Sequence, residues 1–94
     1  MAIGIIIVMT QNRIELIRDR LTEALSPTIL EIEDESHLHA GHAGARDGRG
    51  HFAIVIAADA LNDATRIEQH RKIYQALGEL MQTDIHALKI KVSR

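Results

Sequence analysis

The spacing of apolar positions changes along this chain from helical to alternating and back, and each change marks an element. Over residues 12–25 the apolar side chains fall at Ile14, Ile17, Leu21, Ala24 and Leu25, and Asn12 with Glu15 three residues later makes an N-terminal cap. Pro27 disfavours helical geometry at Ser26, so this first helix must stop there. Residues 28–34 alternate, with Leu30 and Ile32 opposite Glu31 and Glu33, as a half-buried strand does. Residues 51–58 alternate again, with Phe52, Ile54 and Ile56 on one face. Thr65 and Glu68 form a second capping box ahead of an apolar stripe at Ile67, Tyr74, Leu77 and Met81, widened by Ile73 and Leu80. The stripe predicts a helix over 66–81, with a short turn at 61–64 before it. Residues 85–92 close the pattern, with His86, Leu88, Ile90 and Val92 on one face and Lys89 and Lys91 on the other.

The order is α-β-β-α-β, a single α+β domain over 1–94 with a three-stranded mixed sheet and the helices on one face. Strands one and two are joined directly and are expected to be antiparallel. Strand three follows a helical crossover, so it should run parallel to strand two through a right-handed connection. One topological result matters for chemistry. The end of strand one, the loop after it, His51 at the mouth of strand two and His86 at the mouth of strand three all fall at one end of the sheet.

Residues 2–9 (AIGIIIVM) precede this pattern as an apolar run far shorter than the roughly 18–20 residues that span a bilayer, so no membrane association is expected. The run also lacks the basic and small-residue flanks of a secretory signal, which places the protein in the cytoplasm. Three readings of it stand side by side: an edge strand, an ordered tail, or an extension over 1–8 ahead of a native start at Met9. Composition narrows the rest. With 94 residues, one Phe, one Tyr and no Trp, the core is aliphatic and small. A net charge of −2 lacks the basic footprint of a dedicated nucleic-acid binder. The chain has no cysteine, which excludes disulfides, thiolate nucleophiles and any iron–sulfur cluster held by its own thiols.

The candidate chemistry lies in the histidines. Five of the six lie outside the expected helices, and His37, His39 and His42 share a loop over 36–50 that also holds four of the six glycines. Loops of this length in compact domains are usually functional. Neutral imidazole binds borderline metals, and a Gly-rich loop beside a fixed strand position can adapt to an ion or cluster. The bland alternative is solvated loop histidines, and His37-x-His39-x-x-His42 lacks zinc-finger spacing. His51 reads equally as a strand-end residue bonded to backbone, and His70 as a packing residue beside the stripe of the second helix. Asp34 and Glu35 read as solvated strand-end charges. The loop glycines do not form a phosphate cradle, because no Gly-Lys-Ser/Thr follows and no helix opens there. No Ser or Thr is marked out as a nucleophile.

Taken together, Glu31-Ile32-Glu33-Asp34-Glu35-Ser36, the His-Gly loop and Gly50-His51-Phe52 resemble the BolA family. The likeness continues through Gln69-His70-Arg71, Tyr74-Gln75-Ala76-Leu77 and Ile85-His86-Ala87-Leu88, and covers nearly the whole chain from Met9. The resemblance implies a fold like that of class II KH domains and a non-enzymatic role as partner of monothiol glutaredoxins. It implies a two-iron two-sulfur cluster shared with the glutaredoxin and its glutathione, with His39 and His86 as this chain's ligands and His37 and His42 as alternates. It further implies, as an alternative, a transcriptional regulator that binds DNA, for which Arg71, Lys72 and Lys89 are the candidate contacts. The Gly-x-x-Gly backbone clamp of KH domains is missing from the second-helix region. A weak homodimer is also compatible with the resemblance.

Overall fold

The computed structural model describes residues 2–36 and 50–94, with side chains from residue 12 onward. The elements are α1 (Ala2–Leu25), β1 (Ile29–Asp34), β2 (Gly50–Ala57), α2 (Asp59–Asn62), α3 (Arg66–Leu77), α4 (Leu80–Thr83) and β3 (Ile85–Val92). The sheet order is β1-β2-β3, with β1 antiparallel and β3 parallel to β2, as the connections require. The fold is α+β with a mixed three-stranded sheet, as expected from the pattern.

Helix α1 starts ten residues earlier than the cap at Asn12 predicts, and the apolar run of residues 2–9 is helical rather than an edge strand or tail. The physical reason is backbone satisfaction: a strand there needs a neighbour for its hydrogen bonds, whereas a helix bonds to itself. Nothing between Ala2 and Asn12 breaks it, since the stretch contains no proline. The other end stops where Pro27 dictates. The Ser26 N–H still donates to Thr22 O at 3.0 Å, but Ser26 itself turns into the left-handed region at φ 47°. The chain then joins the sheet, with the Thr28 N–H donating to Ala57 O at 2.7 Å.

The core lies between the sheet and the helices. Ile17 and Leu21 of α1, Ile73 and Leu77 of α3, Leu61 of α2 and Leu80 of α4 close over Phe52, Ile54 and Ile56 of β2. Each such side chain removed from water contributes about 1.5–3 kcal/mol, which makes this layer the main source of stability. Leu30 and Ile32 line its β1 edge, half-buried, while Glu31 and Glu33 face outward.

Helix α3 begins as the capping box predicts. Thr65 Oγ1 accepts the Glu68 N–H at 3.2 Å and donates to Glu68 Oε1 at 3.0 Å. The single helix expected over 66–81 is, however, broken. Gly78 adopts φ 53°, its N–H caps Tyr74 O at 2.9 Å, and the chain restarts as the short α4. Periodicity carried on through Leu80 and Met81 because both still pack on the core, but glycine here takes the positive φ that ends a helix. The expected turn at 61–64 begins earlier, as α2. The stripe also needs correction: Ile73 and Leu77 are buried, whereas Ile67 is 72% exposed and Tyr74 41% exposed. Helix α1 packs against α3, and that contact selects which side of α3 is buried.

Candidate functional site

The loop end of the sheet is held by a set of short backbone contacts. The Ser36 N–H donates to Asp34 Oδ1 at 2.8 Å, turning the chain out of β1. Ser36 Oγ then accepts the His51 N–H at 3.0 Å, and the Glu35 N–H donates to His51 O at 2.7 Å. The residues on either side of the segment 37–49 are therefore bonded to each other. Asp34 and Glu35 are structural here, a role that reading them as solvated charges did not anticipate.

The mouth of β3 is fixed to the same point. The Gly50 N–H donates to Asp84 O at 2.9 Å, and the Asp84 carboxylate takes an ion pair from Arg13 of α1 at 3.3 Å. Gly50 pairs with Ile85, but His51 pairs with Ala87, so β3 carries one extra residue relative to β2. That residue is His86. The bulge breaks the alternation expected for this strand: Ile85 is fully buried and Leu88, Ile90 and Val92 are half-buried, while His86 is released from that face and exposed.

Beside it lies His51, 7% exposed and the one polar residue in the buried set of the described residues. The two imidazole rings are 5.2 Å apart and tilted by 50°. The strand directions place these two histidines at one end of the sheet, and the order β1-β2-β3 brings them side by side. His37, His39 and His42 lie outside the described residues; Ser36 and Gly50, which flank their segment, are both at this end. A small cleft lined by Glu35, His51, Ala87 and Lys89 flanks the pair, and Lys89 Nζ closes it by bonding Glu35 Oε1 at 3.1 Å. Among the described residues, no group of three His, Asp or Glu side chains can hold a metal ion alone.

The remaining candidates are scattered. Lys89 lies on the open face of the sheet, paired with Glu35, while Lys72 Nζ donates to Ala60 O at 2.9 Å. Arg71 lies on the exposed side of α3. Of the cations named for nucleic-acid contact, Arg71 and Lys89 thus line different clefts. His70 is half-buried, its ring 6.4 Å from Tyr74 in an edge-on contact. No helix among the described residues is long and apolar enough to cross a membrane.

Residues 21–94 match the family model described as BolA-like protein. The chain is 40% identical over 79 residues to SufE-like protein 1, chloroplastic/mitochondrial, of Arabidopsis thaliana, a match covering 79% of this chain and 21% of that protein. It is 37% identical over 83 residues to Protein BOLA1, chloroplastic, of the same plant, covering 85% of this chain and 52% of that one. Against the DNA-binding transcriptional regulator BolA of Escherichia coli the identity is 36% over 76 residues, covering 81% and 70%. The chain thus spans a fifth to a half of the two plant relatives. Among solved structures it resembles the BolA domain of SufE1 from Arabidopsis thaliana, with a TM-score of 0.71 and 37% identity over 82% of this chain and 85% of that one. BolA1 from Mus musculus gives a TM-score of 0.67 at 34% identity, covering 83% and 63%.

Proposed function

We propose that this chain, which belongs to the BolA-like family, is a non-enzymatic partner protein that docks on a monothiol glutaredoxin and shares a two-iron two-sulfur cluster with it. His39 and His86 are the ligands from this side, with His37 and His42 as alternates in the same loop. The glutaredoxin supplies a cysteine and a bound glutathione. The observation that carries this reading is the exposed His86 on a strand bulge, at the sheet end where the loop leaves and returns.

The donor chemistry agrees with a shared group. A cysteine-free chain offers iron no thiolate, and the described residues hold no group of three His, Asp or Glu that could bind it alone. An exposed imidazole can still complete a site whose other ligands arrive on a second molecule. The cluster, when bound, supplies one-electron chemistry, and histidine ligation of iron raises its potential relative to thiolate ligation. His51 acts here as a positioning residue: buried in β2, it packs beside the His86 ring and restricts where that ring can turn. The Glu35–Lys89 pair bonds β1 to β3 across the outer face and leaves no lone charge beside the ring pair from either residue.

Anaerobic reconstitution with a monothiol glutaredoxin and glutathione tests the proposal. The expected product is a coloured one-to-one complex whose visible absorption and circular dichroism differ from those of the glutaredoxin alone. Replacing His39 and His86 together by Ala should abolish that difference. Spectra unchanged in that variant, and still unchanged with His37 and His42 also replaced, would contradict it. The name of the Escherichia coli relative points instead to DNA, but the separation of Arg71 from Lys89 gives that reading less support in this chain.

A further inference from the structure

Helix α3 has two apolar sides and only one is used. Ile73 and Leu77 are sealed in the core, while Ile67, His70, Arg71 and Tyr74, at i, i+3, i+4 and i+7, form a single outward face. An isoleucine 72% exposed, the most exposed large apolar side chain among the described residues, lies beside a tyrosine 41% exposed, the one tyrosine of the chain. The edge-on contact with His70 restrains the Tyr74 ring. Arg66 and Arg71 rim the patch, and Arg66 also borders an adjoining groove that ends on Lys91 of β3. None of these three cations forms an ion pair among the described residues, and no carboxylate lines either surface. The chain as a whole carries −2, so the sign of this face is locally reversed.

We propose that this face is a docking site for an acidic protein segment that places an aliphatic or aromatic side chain over Ile67 and Tyr74, with flanking carboxylates on Arg66, Arg71 and Lys91. Charge complementarity sets the flanks, and tyrosine and arginine are the side chains that most often anchor such contacts. The apolar centre decides between partners of the same charge. A phosphate backbone would neutralise the arginines but leave Ile67 in water, whereas a protein side chain covers both. The surface is separate from the proposed cluster end: Lys91 and the groove around Ile90 and Val92 lie four to six residues along β3 from His86, or about 13–20 Å at strand rise. The site therefore functions with or without a cluster.

The test is a selection of random displayed peptides on the full-length chain, followed by binding measurements on the recovered peptides. Arg66→Glu with Arg71→Glu, and separately Ile67→Ser, serve as variants; all three positions are exposed, and thermal melts confirm that the fold is retained. Recovered peptides are expected to carry Asp or Glu flanking a large apolar residue, and each variant should weaken their binding by about tenfold or more. Amide shifts on binding should map to residues 66–75 and 90–92. The proposal is overturned by recovery of no peptide, by peptides without acidic enrichment, or by binding indifferent to Ile67→Ser. It is equally overturned if a single-stranded oligonucleotide binds this face more tightly than any peptide, or if Ile67→Ser abolishes self-association of the chain while leaving peptide binding unchanged.

Discussion

A single methyl group at Gly50 tests how the loop mouth is built. A Cβ there would lie 2.6 Å from Phe52 Cε2, 2.9 Å from Phe52 Cζ and 3.1 Å from Ser36 Oγ. None of these neighbours yields easily. Phe52 is 1% exposed in the centre of the core, and Ser36 Oγ holds the His51 N–H. Overpacking of this kind costs about 1–3 kcal/mol, and the reduced freedom of the unfolded Ala chain returns about 0.4–1 kcal/mol, so Gly50→Ala should lose about 1–2 kcal/mol net. For a domain of this size, with an unfolding entropy near 2.1 cal/mol/K per residue, the melting temperature should fall by about 5–10 °C. The assay is thermal and urea unfolding of Gly50→Ala in two backgrounds, native and Phe52→Leu. Leucine lacks the two ring carbons that clash, so the added cost of Gly50→Ala should shrink to below about 0.5 kcal/mol in that background. An unchanged or raised melting temperature in the native background, or an equal loss in both, would refute the reasoning.

Position matters more than residue type on α3: Ile73→Ala should cost about 2–5 kcal/mol and Ile67→Ala less than about 0.5 kcal/mol, as urea midpoints would show. Thr65→Ala removes the side-chain cap on the Glu68 N–H and should cost about 1 kcal/mol, whereas Thr65→Asp should retain most of the stability in the same unfolding measurement. Gly78→Ala meets only ordinary van der Waals contacts, Arg20 Nη1 at 3.5 Å and Gln75 O at 3.8 Å, yet forces alanine into φ 53°. With ψ at −127°, outside the left-handed helical region, it should therefore destabilise by about 1–3 kcal/mol through backbone strain, with calorimetry as the check.

The parts of the fold legible in the sequence were those set by local chemistry. Alternation through Phe52, Ile54 and Ile56 identified the buried face of β2, Pro27 ended α1, and Thr65 with Glu68 opened α3. Strand directions followed from which connections were direct and which crossed over, and with them the placing of His51 and His86 at one end of the sheet; their meeting needs β3 to lie beside β2, which the connections leave open. What periodicity missed depends on distant neighbours. Ile67 and Tyr74 sit at helical spacing as good as that of Ile73 and Leu77, and only the position of α1 decides which pair is covered. The bulge at His86 arises because Gly50 is anchored to Asp84 while β2 and β3 pair in register further on. No pattern within 85–92 announces it. Gly78 did carry a local stop signal, but the apolar residues after it masked the break. The assignments to His37, His39 and His42 lie outside the described residues and rest on sequence and family.

The central claim is that an imidazole from this chain is bound to iron. The direct measurement is pulsed electron paramagnetic resonance of the reduced heterocomplex, prepared with histidine labelled by ¹⁵N in this chain only and an unlabelled glutaredoxin. The account predicts a nitrogen hyperfine coupling that changes with the isotope, weakens in the His86→Ala variant and disappears when His39 and His86 are both replaced by Ala. A spectrum indifferent to the label would mean that no histidine of this chain touches the cluster, and would contradict it.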